Sequence, residues 1–380
     1  MNDCFELNNE QRKYVGLIPV EKHWERVKLN DMYLYFDGDT IRKQILVNDN
    51  LYKERELCEK TAENRTVLLP KTSRGKVKKL NFTATQSFAP LGVYFSFSSE
   101  GVTIANYSTQ IAYFRESFKI AKNINDLKIW LDQWVDDTTD KDLQETEDFK
   151  TSERKHCKFN EGDFFAFKIG RHNWGFGRIL TDVAKLRKTE DFNKQKNYGL
   201  RYIMTKPLIV KVYHKISDTS DIDISELEDC MALPSQAIMD NRFYYGEYKI
   251  TGNKPLSVDD YDMLISYGRS ISQDDRNTVF LQYGLIYKEA DISQFNKYLY
   301  ENTAENPYAN CGVGMGLSID YLRQCTESQS NAPFWDSGFY DYDLRNPKNI
   351  EIKREIFSFF ALDADKSYQE NLDGDYWRKK

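Results

Sequence analysis

Histidine is scarce in this chain: His23, His156, His172 and His214 are all that its 380 residues contain. Cysteine is little commoner, and Cys4, Cys58, Cys157, Cys230, Cys311 and Cys325 lie far apart with no CxxC pair. Structural zinc sites draw such ligands at short fixed spacings, so this pattern argues for dispersed reduced thiols and against a metal centre. No metal and no cofactor is expected. A GxSxG nucleophile elbow and a P-loop are also missing. No apolar run approaches the ~20 residues that cross a bilayer, so no membrane association is expected. The N-terminus, MNDCFELNNEQRKYVGL, has no basic stretch leading into an apolar one; no signal peptide is read there, and the expected location is the cytoplasm.

What the chain does have is apolar and aromatic material. Hydrophobic residues make up 40% and aromatics 14%, with 25 Tyr and 23 Phe. That is enough for real cores in two or three domains of roughly 100–200 residues. The mean hydropathy is −0.68. Net charge is −6 and the pI is near 5.5. An acidic chain is a poor nucleic-acid binder, because that affinity rests on neutralising phosphates; it suits a basic partner. Lys71–Lys79, KTSRGKVKK, is the local exception and reads as a solvated loop.

The pattern along the chain predicts an α+β fold of two domains. Residues 1–136 form the first. Met32–Phe36 and Thr40–Val47 flank an Asp37-Gly38-Asp39 turn, a strong hairpin cue. Gly92–Ser98, Gly101–Tyr107 and QIAYFRESF add strands. NDLKIWLDQWVDD then places Leu127, Trp130, Leu131, Trp134 and Val135 on one helical face, with Asn125 as the expected cap. Residues 137–156 are polar and acidic, and read as a linker.

The second domain, 157–362, is predicted to be a strongly bent antiparallel sheet or partial barrel with C-terminal helices. Its strands are expected at Phe164–Ile169, Trp174–Leu180, Pro207–Ile216, Arg242–Thr251 and Thr278–Lys288. Helices are expected from Ser257, over Ile292–Tyr300 and Ser318–Cys325, and after Pro347, the last burying Ile352, Ile356, Phe359 and Phe360. Residues 363–380 read as a loosely ordered tail.

Several residues could carry chemistry. Gly312–Gly316, GVGMG, lacks the preceding strand and the spacing of a dinucleotide loop. His156 and Cys157 are sequence neighbours, and on a strand neighbours point apart. Arg171 and His172 at a hairpin tip could form an acid/base pair. Asp336, Asp341 and Asp343, among Trp335, Phe339 and Tyr340 and close to Arg345, could do paired-carboxylate hydrolysis or make structural ion pairs. In WGFGR, Trp174, Phe176 and Arg178 share one strand face while Gly175 and Gly177 open the other, as a bulge or sharp bend requires.

The stretch KFNEGDFFAFKIGRHNWGFGRIL, followed after an insert by LIVKVYHKI, resembles the immunity protein 26 family of bacterial polymorphic-toxin systems. Gly162, Asp163, Phe165, Phe167, Gly175, Gly177 and Arg178 occupy the positions of that pattern. The resemblance spans Lys158 to Ala290 and leaves the first domain unaccounted for. Arg171 and His172 depart from the usual short polar turn, and Asp182–Met204 is longer than a compact member needs. The resemblance implies a cytoplasmic antitoxin that neutralises a cognate toxin by direct binding, with no cofactor and no shared catalytic set. Contact residues expected on this reading are Arg171, His172, Trp174, Phe176, Arg178, Trp335, Asp341 and Arg345. Two alternatives stay open: a phosphoester or glycoside hydrolase near His172 and the three aspartates, and a glycan- or peptide-binding module using exposed aromatics.

Overall fold

The computed structural model describes residues 5–193, 206–270, 275–299, 310–311 and 315–378. The chain divides into two compact units: Met1–Cys157 with Tyr245–Glu247, and Lys158–Tyr244 with Tyr248–Lys380.

The first unit is an antiparallel meander. Its strands are β1 (Glu25–Leu29), β2 (Met32–Asp37), β3 (Thr40–Asn48), β4 (Leu51–Ala62), β7 (Leu91–Ser98), β8 (Gly101–Asn106) and β9 (Ile111–Ser117), in that order across the sheet. Two short strands, β5 (Val67–Leu69) and β6 (Lys78–Lys79), extend β4. The Asp37-Gly38-Asp39 turn forms as its sequence demands, with Gly38 at φ +57, a conformation that favours glycine. Side chains alternate across the pleat. Tyr33, Tyr35, Ile45 and Phe95 therefore pack with Leu127, Leu131 and Trp134 of the helix Ile124–Asp136, while Met32, Leu34 and Phe36 pack on Ile41, Leu57 and Phe88. The cap of that helix is Asn123, not Asn125; Asp126 returns its carboxylate to the Asn123 N–H and completes a capping box.

The segment read as a linker is instead the helix Asp140–Thr151. Its composition gives little burial, but Thr139 and Asp142 form a reciprocal cap, with bonds of 2.9 and 3.2 Å, and Asp142 and Thr146 are buried. The same unit holds a buried charge network. Glu54, fully buried, accepts from Arg12 Nε at 2.8 Å and Tyr52 Oη at 2.5 Å, and pairs closely with Lys43.

Among the described residues, the second unit contains two antiparallel sheets. The larger comprises β10 (Asp163–Lys168), β11 (Trp174–Asp182), β12 (Pro207–Ser217), β13 (Ala232–Met239) and β14 (Lys249–Asn253), ordered β13-β12-β11-β10-β14. Register shifts interrupt β11–β12 between Gly175 and Gly177 and again between Ile179 and Thr181, so the sheet bends where the glycines are. On one face Phe165, Phe167, Ile179 and Val210 pack against Leu322 and Cys325 of the helix Ile319–Ser328; on the other Phe164, Trp174, Phe176 and Tyr213 pack with Leu227.

The smaller sheet is β17-β16-β15-β18, from β15 (Ile265–Arg269), β16 (Thr278–Tyr283), β17 (Ile286–Asp291) and β18 (Asn310–Cys311). It packs on Ile356 and Phe357 of the helix Ile350–Phe359. The fold class is as expected, α+β with antiparallel sheets and C-terminal helices; among the described residues no sheet closes.

Several elements differ from expectation. Thr278–Lys288 is a hairpin, not one strand, turning at Gly284 with φ +55. Arg242–Thr251 begins as the helical turn Asn241–Tyr244 before β14. Ser257 caps as expected, but only the 3-10 turn Val258–Asp260 follows, since Ile265 enters a strand. The described part of Ile292–Tyr300 is turns rather than helix. The tail carries the helix Tyr368–Arg378, held by the buried Tyr368 and Asn371. Gly312, Val313 and Gly314 of the glycine-rich stretch lie outside the described residues, as do residues 194–205 of the insert.

Candidate functional site

Two residues of the sequence pattern, Gly162 and Arg178, meet at a buried guanidinium. Arg178, on β11, is 4% exposed and lies 4.6 Å over the Phe164 ring. Its Nη1 donates to Asp260 Oδ1 at 2.7 Å, its Nη2 to the Lys254 and Pro255 carbonyls at 2.7 and 3.1 Å, and its Nε to Gly162 O at 3.4 Å. Asp260 is saturated: Lys211 Nζ donates to the same Oδ1 at 2.9 Å, and the Ser257 N–H and hydroxyl donate to Oδ2 at 2.8 and 2.9 Å. Burial alone would raise the Asp260 carboxyl; the Ser257 amide, the Lys211 ammonium and the Ser257 hydroxyl outweigh it and hold the group at about 2.

Gly162 is needed where it stands. Its φ is +88, and a Cβ there would meet the Lys254 carbonyl oxygen at 2.5 Å, closer than any real contact. The neighbouring Asp163 accepts from the Asn160 N–H at 2.7 Å and from Asn253 Nδ2 at 2.6 Å. Gly162, Asp163 and Arg178 thus fasten the entry of β10 to β14 and to the chain leading into β15. This frame accounts for the pattern as architecture.

Residues 160–277 match the family model of immunity protein 26.

No curated protein and no solved structure matches the chain. The matched segment covers β10 to β15 and ends before β16, so it contains the whole larger sheet and the Arg178–Asp260 frame. The first unit lies outside it.

Within the matched segment the expected contact residues separate by depth. His172 is exposed at the tip between β10 and β11, and Arg171 beside it is half-buried. Trp174 and Phe176 are 8% and 0% exposed, which removes them from any surface platform. Trp174 has Lys168 and Lys249 ammoniums 4.7 and 4.3 Å from its ring, a favourable arrangement for both cations. Arg178 is consumed by the frame described above. His214 is also buried, with Nε2 2.9 Å from Asn331 Oδ1; burial pushes its imidazole down, partly offset by Asn331. His156 is exposed and Cys157 half-buried in irregular chain after Thr151.

The remaining expected residues lie C-terminal to the matched segment: Trp335, half-buried, ends the helical turn Ala332–Trp335, and the others follow in the loop after it. Two of its three aspartates are held in ion pairs. Asp341 pairs with Lys348. Asp343 pairs with Arg345 at 2.8 Å, and Asp336 is exposed. Arg345 also donates from Nη1 to Ser235 O and Oγ at 3.0 and 2.9 Å, bolting the loop to β13. Burial would lower the Arg345 guanidinium, but Asp343 and Asp262 raise it above its ordinary value. Among the described residues no cluster of three or more His, Cys, Asp or Glu could hold a metal ion.

Sequence reasoning missed Asp260, Lys211 and Asn253. Ser257-x-x-Asp260 was legible as a cap, and it is one; nothing local says that the same carboxylate also receives Arg178.

Proposed function

We propose that this chain is a cytoplasmic immunity protein that neutralises a cognate toxin by binding it directly. The observation that carries the reading is the match of residues 160–277 to immunity protein 26. The geometry supports a binding role for a second reason. The charged residues of the shared pattern, Asp163 and Arg178, are satisfied within the protein, so the pattern supplies a rigid frame and leaves recognition to the surface. The net charge of −6 favours a basic toxin face, with association accelerated by complementary fields.

The test is protection and stoichiometry. Each gene flanking that of this chain is expressed in cells with and without it, and the activity of a toxic product is then titrated in vitro with purified chain. Direct binding predicts survival only with the chain, and toxin activity extinguished at one molar equivalent. No protection refutes the reading; complete inactivation by a small fraction of an equivalent refutes stoichiometric binding and favours turnover.

A further inference from the structure

The loop 336–343 exposes an aromatic side chain on a backbone tied down by buried side chains. Phe339 is 74% exposed and Tyr342 44%. A single exposed apolar side chain is ordinary on any surface. What is not ordinary is the support beneath this one. Asn346, 3% exposed, donates to the Trp335 and Tyr340 carbonyls at 3.1 and 3.2 Å. Asn349, 4% exposed, donates to the Asp341 and Asp343 carbonyls at 2.8 Å each. The Tyr340 ring stacks on the buried Phe334 at 4.0 Å, and its hydroxyl lies 2.5 Å from Ser318 Oγ. Two buried asparagines thus hold both halves of the turn, Tyr340 pins its centre, and Phe339 is left standing outward.

We propose that Phe339 is the anchor by which this chain engages its toxin, inserting into an apolar socket with a basic rim. This rests on the antitoxin reading above and adds the surface and its complement. Interfaces concentrate affinity in a few aromatic anchors seated in pockets, and a preordered anchor loses little conformational entropy on docking. The rim chemistry follows from the loop itself: residues 336–343, DSGFYDYD, hold three aspartates and no Lys or Arg. Asp341 and Asp343 already have cationic partners in Lys348 and Arg345. Asp336 is exposed and is the carboxylate that a cation on the toxin would meet. The loop lies beyond residue 277, where the family match ends, yet Arg345 fixes it to β13 inside that match.

The test uses the full chain and the purified toxin from which it protects cells in the experiment above, with affinity measured by titration calorimetry. Phe339→Asp is expected to weaken binding by about 30-fold or more, the penalty of a central aromatic anchor. Asp336→Lys is expected to slow association and to flatten its dependence on salt. Neither should change the melting temperature, because both side chains are exposed. Ile120→Asp, at another exposed apolar residue (81%), should bind like wild type. Wild-type binding that Phe339→Asp leaves intact overturns this inference while sparing the antitoxin reading. No binding by the wild-type chain overturns both.

Discussion

Gly177→Ala adds one methyl group to β11, and the structure gives it nowhere to go. The new Cβ would lie 2.5 Å from Phe165 Cζ and 2.6 Å from the Lys211 carbonyl oxygen, against about 3.5–4.0 Å for an optimal carbon contact. Phe165 is fully buried, edge-on to Phe243 at 4.8 Å and stacked over Tyr248 at 5.6 Å, so its ring cannot swing away. Lys211 is in β12, which pairs on both sides, so its carbonyl cannot retreat without parting the sheet. A cost of about 3 kcal/mol, the top of the usual overpacking range, follows. At Gly175 the nearest atoms are all side-chain ends: Phe167 Cζ at 2.7 Å, Leu322 Cδ2 at 3.0 Å and Ile169 Cγ2 at 3.1 Å. These can give, so Gly175→Ala should cost about 1–2 kcal/mol. With a urea slope of about 2 kcal/mol/M, the two shifts are about 1.5 M and about 0.5–1 M. Denaturation of the full chain, followed by the fluorescence of the buried Trp174, resolves them. His172→Ala at the exposed tip should leave the midpoint where it is. A Gly177→Ala midpoint within about 0.3 M of wild type, or a larger shift for Gly175→Ala, refutes the close-packed bend.

Three further outcomes are expected. Because the folded Asp260 carboxyl sits at about 2, below its ordinary 3.8, its contribution is fully present above pH 4 and is lost as pH falls toward 2; Asp260→Asn should destabilise the second unit at neutral pH and flatten that acid limb, and an unchanged limb in urea melts sinks the assignment. Glu54→Ala leaves the buried Lys43 and Arg12 cations without their carboxylate and should cost the first unit about 3–5 kcal/mol; a loss below about 1 kcal/mol in thermal melts contradicts the network. Trypsin should spare Lys141 and Lys150 in the native protein, since both lie on the capped helix Asp140–Thr151; first cuts at those residues would restore the linker reading.

Local signals were legible in the sequence and non-local ones were not. The Asp-Gly hairpin, the Leu127/Leu131/Trp134 stripe and the bend at Gly175 and Gly177 each depend on neighbours within a few residues. The helix Asp140–Thr151 announced itself only through Thr139-x-x-Asp142, which its acidic composition masked. Gly284 sits inside an apolar run, so a hairpin looked like one long strand. For the candidate site the gap is larger. Alternation placed Trp174, Phe176 and Arg178 on one face correctly, but β11 is buried on both faces, and periodicity cannot tell a covered face from an open one. The asparagines under Phe339 are invisible as supports, because an Asn bonding backbone carbonyls several residues upstream has no pattern of its own.

Arg178 and Asp260 are 82 residues apart in sequence, and Asp163 and Asn253, which join β10 to β14, are 90 apart. During synthesis at about 5–20 residues per second, the ribosome needs about 4–16 s after Arg178 emerges before Asp260 can reach it. Through that interval β10 has no partner on one side, and the loop-closure entropy of so long a separation makes the later pairing slow as well. A chain still being made therefore lacks the frame that closes its larger sheet. On the antitoxin reading proposed above, protection has to come from molecules finished earlier, so synthesis of the chain has to begin ahead of the toxin.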